Sequence, residues 1–318
     1  MHFAMPPRKT SRPPPYAARQ SKSIGIPPAL RNLLRDRLRL VLAVIAAIFT
    51  LFWLLGRSSD GGSAVRLKAH AGSGAPVVIV TVIDPTADRT WTEKIKKNRE
   101  DYAKRHGYST FFPQNDDYPL KGAPNSWAKV PALRHAMTLN PTSQWFWYLD
   151  TTALIVNPSI ALQSHALNPS KLEKLMIVNE PVVPPDSVIK TFGNLKGDRI
   201  DVIVTQDKDG LCQSSFVLRQ GEWAKYFLDA WFDPIYRSYN FQKAEAHALE
   251  HIVQWHGTIL AKLAMIPQNA INSYVAGPAN AKNGKYTEGD MVATFFGCDK
   301  EKRNCIDEMQ PYFDNLEA

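Results

Sequence analysis

The pattern of apolar and polar positions from residue 76 onward indicates strands and helices in alternation. Residues 76–84, PVVIVTVID, form a continuous apolar run rich in β-branched side chains, which is typical of a strand buried on both faces of a parallel sheet. Trp91, Ile95 and Tyr102 then recur at helical spacing, which predicts a helix after this strand. Gly107 is suited to end that helix, because glycine adopts the left-handed backbone of a helix terminus at little cost.

The same alternation continues to the end of the chain. Further strand patterns are Phe111–Phe112, the segment QWFWYLD ending at Asp150, Met176–Val178, Val202–Val204 and Phe216–Leu218. Helical patterns are a helix capped by Ser126, then Glu222–Trp231 and Glu245–Leu263. Alternating strands and helices predict an α/β fold with a mainly parallel sheet, and residues 76–318 are enough for one domain.

An uncharged stretch, LVLAVIAAIFTLFWLLG, covers residues 40–56 and predicts a membrane anchor. As a helix it would be about 25 Å long, near the lower limit for spanning a bilayer. Residues 1–39 carry nine Lys and Arg against Asp36, so the positive-inside rule places this tail in the cytosol and the remainder in a lumen. Residues 57–75 are rich in Gly, Ser and Ala and are typical of a flexible stem. A buried core helix and a cleaved signal peptide are the alternative interpretations of the apolar stretch.

Charge and cysteine content narrow the possible classes. The formal net charge is +8, and the first 39 residues account for all of it, so the folded region is neutral and a nucleic-acid face is not favoured. Three cysteines exclude a disulfide-dense miniprotein. Cys298 and Cys305 flank the polar segment DKEKRN and either form a disulfide in an oxidising lumen or are unrelated thiols. Cys212 is left over, and we expect it to be buried.

Carboxylates follow the predicted strands at positions where open α/β sheets bind ligands. Asp84 and Asp150 each come directly after an apolar strand, and Asp207 follows Val202–Val204. A carboxylate at a strand end can bind a ribose hydroxyl or a metal attached to a diphosphate. For Asp150 the alternative is that it only caps the following turn.

Several ordered motifs resemble the fungal galactosyl- and mannosyltransferases of glycosyltransferase family 34. The motifs are NREDYAKRHGY (98–108), SWAKVPALRHAM (126–137), WFWYLDTTALIVNP (145–158), DGLCQSSFVLR (209–219), AEAHALEHIVQWH (244–256), NSY (272–274) and GDMVATFFGC (289–298). The resemblance covers about residues 76–318 and implies a Golgi type II membrane enzyme with a Rossmann-like GT-A domain. It also implies transfer of a hexose from a nucleotide sugar with retention of configuration.

The resemblance also implies a Mn²⁺ site, but this sequence departs from its pattern. Such family members bind the metal with an Asp-x-Asp motif and a late His. By position, the first Asp is Asp150, the second is Thr152, and the late His is Thr294. A neutral hydroxyl is a weak ligand for a hard cation, so Mn²⁺ is expected from the family and doubtful in this chain.

The resemblance and the strand positions together give a set of expected site residues. Asp150 is expected to contact the nucleotide sugar and any metal, Asp84 the base or ribose, and Lys129 the diphosphate. Arg134, Lys282 and Lys285 are further cations that could replace the metal, and the alternative for all four cations is an ordinary solvated charge. Glu245 is expected at the reacting face of the sugar or at the acceptor hydroxyl, and Asp207 on the acceptor side.

Two functions follow from the resemblance, and a third from a separate motif. The first is an α-1,6-mannosyltransferase that uses GDP-mannose to build the N-glycan mannan backbone, together with other mannosyltransferase subunits in a Golgi complex. The second is a weak or inactive subunit that supports a catalytic relative. The third is a membrane-anchored zinc peptidase, because His247, Glu250 and His251 match H-x-x-E-H.

Overall fold

A computed structural model describes residues 74–183, 187–239, 241–300 and 302–317. The predicted tail, the predicted anchor at residues 40–56 and nearly all of the predicted stem lie outside these ranges. Among the helices that the structure does describe, none combines the length and apolar character needed to cross a bilayer.

Within the described ranges, a six-stranded sheet forms the centre of the fold, in the order β2-β1-β3-β6-β5-β7. Its strands are β1 (Val77–Val80), β2 (Ser109–Phe111), β3 (Trp145–Leu149), β5 (Val202–Thr205), β6 (Ser215–Arg219) and β7 (Leu263–Ile266). Strand β6 runs antiparallel to its neighbours β3 and β5, and the other pairings are parallel. The predicted α/β fold with a mainly parallel sheet is therefore confirmed.

Helices cover both faces of this sheet. They are α1 (Arg89–His106), α2 (Lys129–Leu139), α3 (Pro169–Leu175), α4 (Glu222–Trp231), α5 (Pro234–Ser238), α6 (Glu245–Trp255), α7 (Gly257–Leu260) and α8 (Cys305–Glu317). Short 3-10 turns lie at Asn115–Asp117, Asn125–Ala128, Gly197–Arg199 and Gln268–Ala270, and a π-helical turn at Gln163–Leu167. Helix α1 ends at Gly107 in the left-handed conformation, as predicted.

Two hydrophobic cores lie on opposite faces of the sheet because side chains alternate along each strand. In β1, Val78 and Val80 pack with the buried side chains of α2, α4 and α6. Val77 and Ile79 face the other way and pack with Tyr102 of α1 and Leu172 of α3. Since both faces are covered, β1 is apolar at every position rather than at alternate ones.

A second, three-stranded sheet packs beside the first. Its order is β4-β9-β8, with β4 at Ala153–Ile155, β8 at Ser273–Ala276 and β9 at Val292–Phe295. Strand β9 shares a third apolar cluster with Met309 and Phe313 of α8. The bond between Cys298 and Cys305 links the end of this sheet to α8, so the disulfide alternative is confirmed, and Cys212 is a buried free thiol.

Three local predictions are wrong. Residues 176–178 form no strand; Ile177 makes a single backbone hydrogen bond to Met265 at the edge of β7. The helix predicted from Glu245 to Leu263 ends at Trp255, because His256 adopts an extended backbone, and a short helix and then β7 follow. Ser126 lies in a 3-10 turn and does not cap α2, whose cap position is Ala128.

Candidate functional site

A cavity of about 220 Å³ lies at the edge of the main sheet where β3 and β5 end and β6 begins. Its lining includes Lys129, Asp150, Asp207, Asp209, Gly210, Leu211, Cys212, Gln213, Ser214, Lys243, Glu245, Ala246, Glu250, Tyr274 and Phe296. This is the position where open α/β sheets bind ligands. Four of the predicted site residues, Lys129, Asp150, Asp207 and Glu245, therefore line one cavity.

A larger groove of about 670 Å³ is lined by α1, Pro158 and α8. Its lining contains Asp101 and several cationic side chains. The smaller cavity is the candidate site, because strand ends, carboxylates and a buried ion pair converge there.

Lys129 and Glu245 form a buried ion pair in the cavity wall. Lys129 Nζ lies 2.8 Å from Glu245 Oε1, and each side chain is 7% exposed. Ser126 Oγ donates a hydrogen bond to the other carboxylate oxygen at 2.6 Å. Burial opposes the charge on Lys129, but the carboxylates of Glu245 and Asp150 outweigh it and raise the pKa of Lys129. Both oxygens of Glu245 are therefore held in fixed positions.

Asp150 lies at the end of β3, and its backbone is anchored from two sides. Its N–H donates to Ser214 O at 2.7 Å, and its carbonyl accepts from Arg99 Nη2 at 2.9 Å. Its carboxylate accepts hydrogen bonds from Thr151 Oγ1 and Thr152 N, both at 3.3 Å. Asp150 thus makes the turn contacts of a capping residue while its side chain also lines the cavity.

Arg99 is a fully buried cation below this strand end. Its guanidinium donates to the carbonyls of Asp150 and Ala153 and to Asn98 Oδ1. Burial lowers the pKa of Arg99 to about 9, although the Asp150 carboxylate opposes this shift. Arg99 therefore fixes the turn that carries Asp150.

Asp207 organises the loop between β5 and β6. Its Oδ1 accepts from the backbone N–H groups of Asp209 and Gly210 at 2.7 and 2.9 Å, and its Oδ2 accepts from the Tyr274 hydroxyl at 2.9 Å. Burial raises the pKa of Asp207, although these hydrogen bonds oppose the shift. Because both oxygens already accept hydrogen bonds, the geometry gives Asp207 a role in shaping the loop.

Glu250 projects from α6 toward the same loop. Its Oε1 accepts a hydrogen bond from Leu211 N at 3.3 Å, and burial raises its pKa to about 7. Gly210 has φ +152° and lies directly under Glu250, since a Cβ built on it would stand 1.8 Å from Oε1. Glycine therefore allows the carboxyl group to approach the loop, which leaves an acid poised near neutral pH in the cavity wall.

Of the cations proposed from the sequence, only Lys129 lines the cavity. Arg134 pairs with Asp229 on α4, and Lys282 and Lys285 are exposed side chains outside the lining. Lys243 is a second cation in the lining, and its Nζ donates to Asp209 O at 3.0 Å. Arg134, Lys282 and Lys285 therefore fit the alternative of ordinary solvated charges, because none of them lines the cavity.

The three positions where the family resemblance places metal ligands lie close together, but their chemistry does not fit a divalent cation. Thr152 N bonds to Asp150, and Thr152 O accepts from Phe295 N, next to Thr294. The Thr294 hydroxyl is fully buried and donates to Asn272 Oδ1 at 2.6 Å. In the part of the chain that the structure describes, no group of three His, Cys, Asp or Glu side chains could hold a metal. Asp150 is the one charged oxygen donor among the three positions.

Asp84 lies outside the cavity lining, in the loop that follows the neighbouring strand β1 (Val77–Val80). Its Oδ1 accepts hydrogen bonds from the backbone N–H and the hydroxyl of Thr86, which lower the pKa of Asp84. Contact between Asp84 and a base or ribose stays a prediction.

Gln213 is an unsatisfied polar group in the cavity wall. Its side chain is buried, and neither amide atom has a hydrogen-bond partner among the described residues. A buried unpaired amide costs about 1–3 kcal/mol, and a ligand hydroxyl is able to pair with it. Gln213 thus has both amide atoms available to a ligand in the cavity, and the sequence did not single it out.

The two His and the Glu of the H-x-x-E-H motif lie on two different faces of α6. Glu250 faces the loop at Gly210, whereas His251 packs against Tyr236 and Trp255 and His247 against Phe241. The described residues therefore provide no metal centre for a zinc peptidase.

Comparison with known proteins agrees with this architecture. A crystal structure of a glycosyltransferase involved in glycosylation of the major capsid of PBCV-1 superposes with a TM-score of 0.51 at 12% identity. It covers 74% of this chain and 98% of that protein, and it shows a shared glycosyltransferase fold. The model of the galactosyl transferase GMA12/MNN10 family matches residues 73–305. The chain belongs to this family.

The GMA12/MNN10 family is glycosyltransferase family 34, a family of hexosyltransferases, so the resemblance drawn from the motifs is confirmed. An uncharacterized alpha-1,2-galactosyltransferase of Schizosaccharomyces pombe is 33% identical over 208 residues, 65% of this chain and 62% of that protein. The probable alpha-1,6-mannosyltransferase MNN11 of Saccharomyces cerevisiae is 30% identical over 272 residues, 79% of this chain and 64% of that protein. The chain spans about three fifths of the length of the curated relatives it matches.

Sequence patterns contained signals for some of the residues that were missed. Arg99 stands four positions after Ile95 and three before Tyr102, so helical spacing places it on the buried stripe of α1. Glu250 was named only as part of the H-x-x-E-H motif, although it follows Ala246 by four positions in a helix whose start the family motif already placed at the site. Lys243 precedes α6 in a loop that has no periodic pattern of apolar residues, so the sequence did not indicate where the Lys243 side chain points.

Proposed function

We propose that this chain transfers mannose from GDP-mannose to the α-1,6-linked mannan backbone of N-glycans, with retention of configuration. The single observation that carries the proposal is the cavity at the carboxyl edge of the sheet, where Asp150 and the buried Lys129–Glu245 pair converge. Family membership supports a nucleotide-sugar donor, and the position of the cavity in an α/β sheet suits one.

Among the longest alignments with named relatives, those with mannosyltransferases have the higher identity, which supports mannose as the transferred sugar. The alignments with MNN11 and MNN10, both named probable alpha-1,6-mannosyltransferases, extend over 272 and 289 residues at 30% and 29% identity. An S. pombe alpha-1,2-galactosyltransferase aligned over a similar 293 residues is 26% identical. Shorter alignments to other galactosyltransferases reach 33% over 208 residues, so a direct comparison of donors belongs in the test.

The proposed roles use the side chains of the cavity. Lys243 and Lys129 offset charge on the diphosphate, which leaves as its bond to the anomeric carbon breaks. Ser126 and Lys129 fix Glu245 at the reacting face of the hexose. A new bond forms between the anomeric carbon and an acceptor hydroxyl oxygen, and Glu250 is suited to take the hydroxyl proton because its pKa is about 7. Gln213 is suited to bind a sugar hydroxyl.

The second candidate function is a weak or inactive subunit that supports a catalytic relative in a Golgi complex. It is favoured by the substitutions at the metal positions, where Thr152 and Thr294 stand beside Asp150. Under either function we propose a type II Golgi protein anchored by residues 40–56 and associated with other mannosyltransferase subunits.

The test uses the purified full-length chain in detergent, with GDP-mannose or UDP-galactose as donor and α-1,6-mannobiose as acceptor. The enzyme proposal predicts mannosyl transfer by the chain alone, lost in Asp150→Ala and in Glu245→Gln. Asp229→Ala, an exposed acid outside the cavity lining, is the matched control and should leave transfer unchanged. Transfer only in the presence of a partner subunit, and unaffected by Asp150→Ala, would support the second candidate instead.

A further inference from the structure

Five aromatic rings form a connected surface along α5 and α6, which we call the aromatic face: Tyr236, Tyr239, Phe241, His251 and Trp255. Ring centroids lie 4.7 Å apart for Tyr239 and Phe241, 6.4 Å for Phe241 and His251, and 5.8 Å for His251 and Trp255. Tyr236 touches both Phe241 and His251. Each ring therefore has at least one aromatic neighbour that restricts its motion.

The outer rings of the aromatic face are open to solvent. Tyr239 is 70% exposed and Trp255 is 73% exposed, and neighbouring Ile235 is 72% exposed. Large aromatic side chains are costly to leave in water, and contiguous exposed apolar surface usually marks an interaction site. The outer rings are thus candidates for ligand contact, while Tyr236 and Phe241 pack against the core beneath them.

The aromatic face adjoins the cavity. On α6, Ala246 and Glu250 are one turn apart and line the cavity, while His247, His251 and Trp255 follow each other at four-residue spacing on the adjacent stripe. Lys243, which lines the cavity, donates its backbone N–H to His247 Nδ1 at 3.4 Å, and His247 touches Phe241. A ligand that leaves the cavity beside Lys243 therefore meets the aromatic face next.

We propose that the aromatic face binds the acceptor oligosaccharide, stacking on the hexose rings that precede the reacting hydroxyl. This rests on the proposed function, since a transferase must hold a chain whose end enters the cavity. A pyranose ring has an apolar C–H face that matches an aromatic ring, and weak C–H contacts to π systems add to the area buried. The stripe from His247 to Trp255 rises about 12 Å along the helix, enough for more than one ring.

The continuity of the aromatic face with the cavity indicates which ligand occupies the face. A neutral glycan binds without needing an opposite charge, and stacked rings provide contact area with few hydrogen-bond directions to satisfy. A protein partner would also contact exposed aromatic residues, but it would not need the face to begin at the cavity. The geometry therefore favours the acceptor chain, and the partner becomes an outcome of the test.

The experiment compares Trp255→Ala and Tyr239→Ala with the unaltered full-length chain on α-1,6-mannobiose and α-1,6-mannohexaose. Loss of one stacking ring should raise the KM for the long acceptor about 3- to 10-fold, with kcat and the KM for mannobiose unchanged. Tyr226→Ala removes an aromatic side chain that is 51% exposed on α4, outside the aromatic face, and should change neither acceptor.

A second measurement does not depend on turnover. Saturation-transfer NMR of mannohexaose with the chain should show contacts that weaken in Trp255→Ala and Tyr239→Ala and persist in Tyr226→Ala. Unchanged binding and unchanged KM values in both variants would overturn the acceptor surface while leaving the proposed function intact. If the unaltered chain shows no turnover, but its binding of mannohexaose is lost in Trp255→Ala and Tyr239→Ala, the result would support the aromatic face as an acceptor surface. The same result would reject the proposal that the chain is catalytic. Loss of a co-purifying subunit in the variants, with glycan binding unaltered, would show a protein interface and overturn the proposal.

Discussion

The Lys129 ammonium lies 2.8 Å from Glu245 Oε1, in a pair of side chains of which each is only 7% exposed. Removing one member of a buried pair leaves the other charge without its partner, at a cost of about 3–5 kcal/mol. Lys129→Met and Glu245→Leu should each lower the free energy of unfolding by roughly that amount. The double variant should lose much less than the sum, because it leaves neither charge buried.

Chemical denaturation of the unaltered chain, the two single variants and the double variant measures this coupling between Lys129 and Glu245. Lys225→Met and Glu222→Leu, an exposed pair on α4, form the control cycle and should couple by less than about 1 kcal/mol. Additive losses at Lys129 and Glu245 would contradict the pairing.

Restoring a carboxylate beside Asp150 should create a Mn²⁺ site. In Thr152→Asp the new carboxylate would stand two residues after Asp150, at a position whose N–H already bonds to that side chain. Charged oxygen ligands suit Mn²⁺, so we expect affinity at least about 10-fold above that of the unaltered chain by electron paramagnetic resonance. Thr152→Asn, which is nearly isosteric with the aspartate variant but uncharged, should not gain this affinity. Equal Mn²⁺ affinity in the unaltered chain, Thr152→Asp and Thr152→Asn would contradict the view that the missing carboxylate at position 152 weakens the metal site.

Glu250 should make the protein less stable as pH rises. The folded chain keeps the proton of Glu250 up to a pKa of about 7, whereas the unfolded chain releases it near 4.5. Because the folded state binds more protons in this window, the free energy of unfolding falls from pH 4.5 to pH 7 and then levels off. Glu250→Gln should flatten this dependence and raise stability at pH 8, measured by thermal unfolding across pH. Glu288→Gln, at an exposed position, should leave the profile as it is.

Lys243 should contribute to donor binding through its charge. We expect Lys243→Ala to raise the KM for GDP-mannose by roughly 10-fold, the effect of one charge-assisted contact to phosphate, and Lys243→Arg to retain most of the affinity. The effect should shrink as ionic strength rises. Lys282→Ala is the control, since that side chain is exposed outside the cavity lining, and an equal change in both variants would exclude a specific role for Lys243.

Reduction of the Cys298–Cys305 bond should loosen α8. The cysteines are seven positions apart, so loop closure gives a stabilisation of about 2–3 kcal/mol. The double variant Cys298→Ser/Cys305→Ser should lower the melting temperature without a reducing agent, and dithiothreitol should lower that of the unaltered chain to a similar value. Cys212→Ser keeps the disulfide, so dithiothreitol should still lower its melting temperature; no effect of reduction on the unaltered chain would contradict the assignment.

Much of the main sheet could be predicted because its strands are buried on both faces. Strands β1 and β3 are apolar at every position, and helices such as α4 repeat their buried residues at the expected spacing. Strands β4, β8 and β9 are short and pair across long stretches of chain, so local pattern could not reveal the second sheet. The end of α6 was missed because the apolar residues after His256, which belong to α7 and β7, imitate a continuing helical stripe.

The candidate site could be predicted only where a residue follows a strand or belongs to a shared motif. Asp150 and Glu245 were found in this way, and both line the cavity. Lys243 lies in a loop whose direction depends on its tertiary contact with Asp209, and no local pattern encodes that contact. The functional roles of these residues stay predictions.

The antiparallel direction of β6 has a consequence for how this protein can diversify. Because β6 starts where β5 stops, residues 206–214 form a short return held at both ends by hydrogen-bonded strands. That side of the site has little freedom to lengthen, because an insertion would displace the N–H groups of residues 209–211 that Asp207 and Glu250 hold in the cavity wall. Variation in which sugar chains are accepted is therefore expected to accumulate in the segment between α4 and α6, where added residues leave the sheet undisturbed.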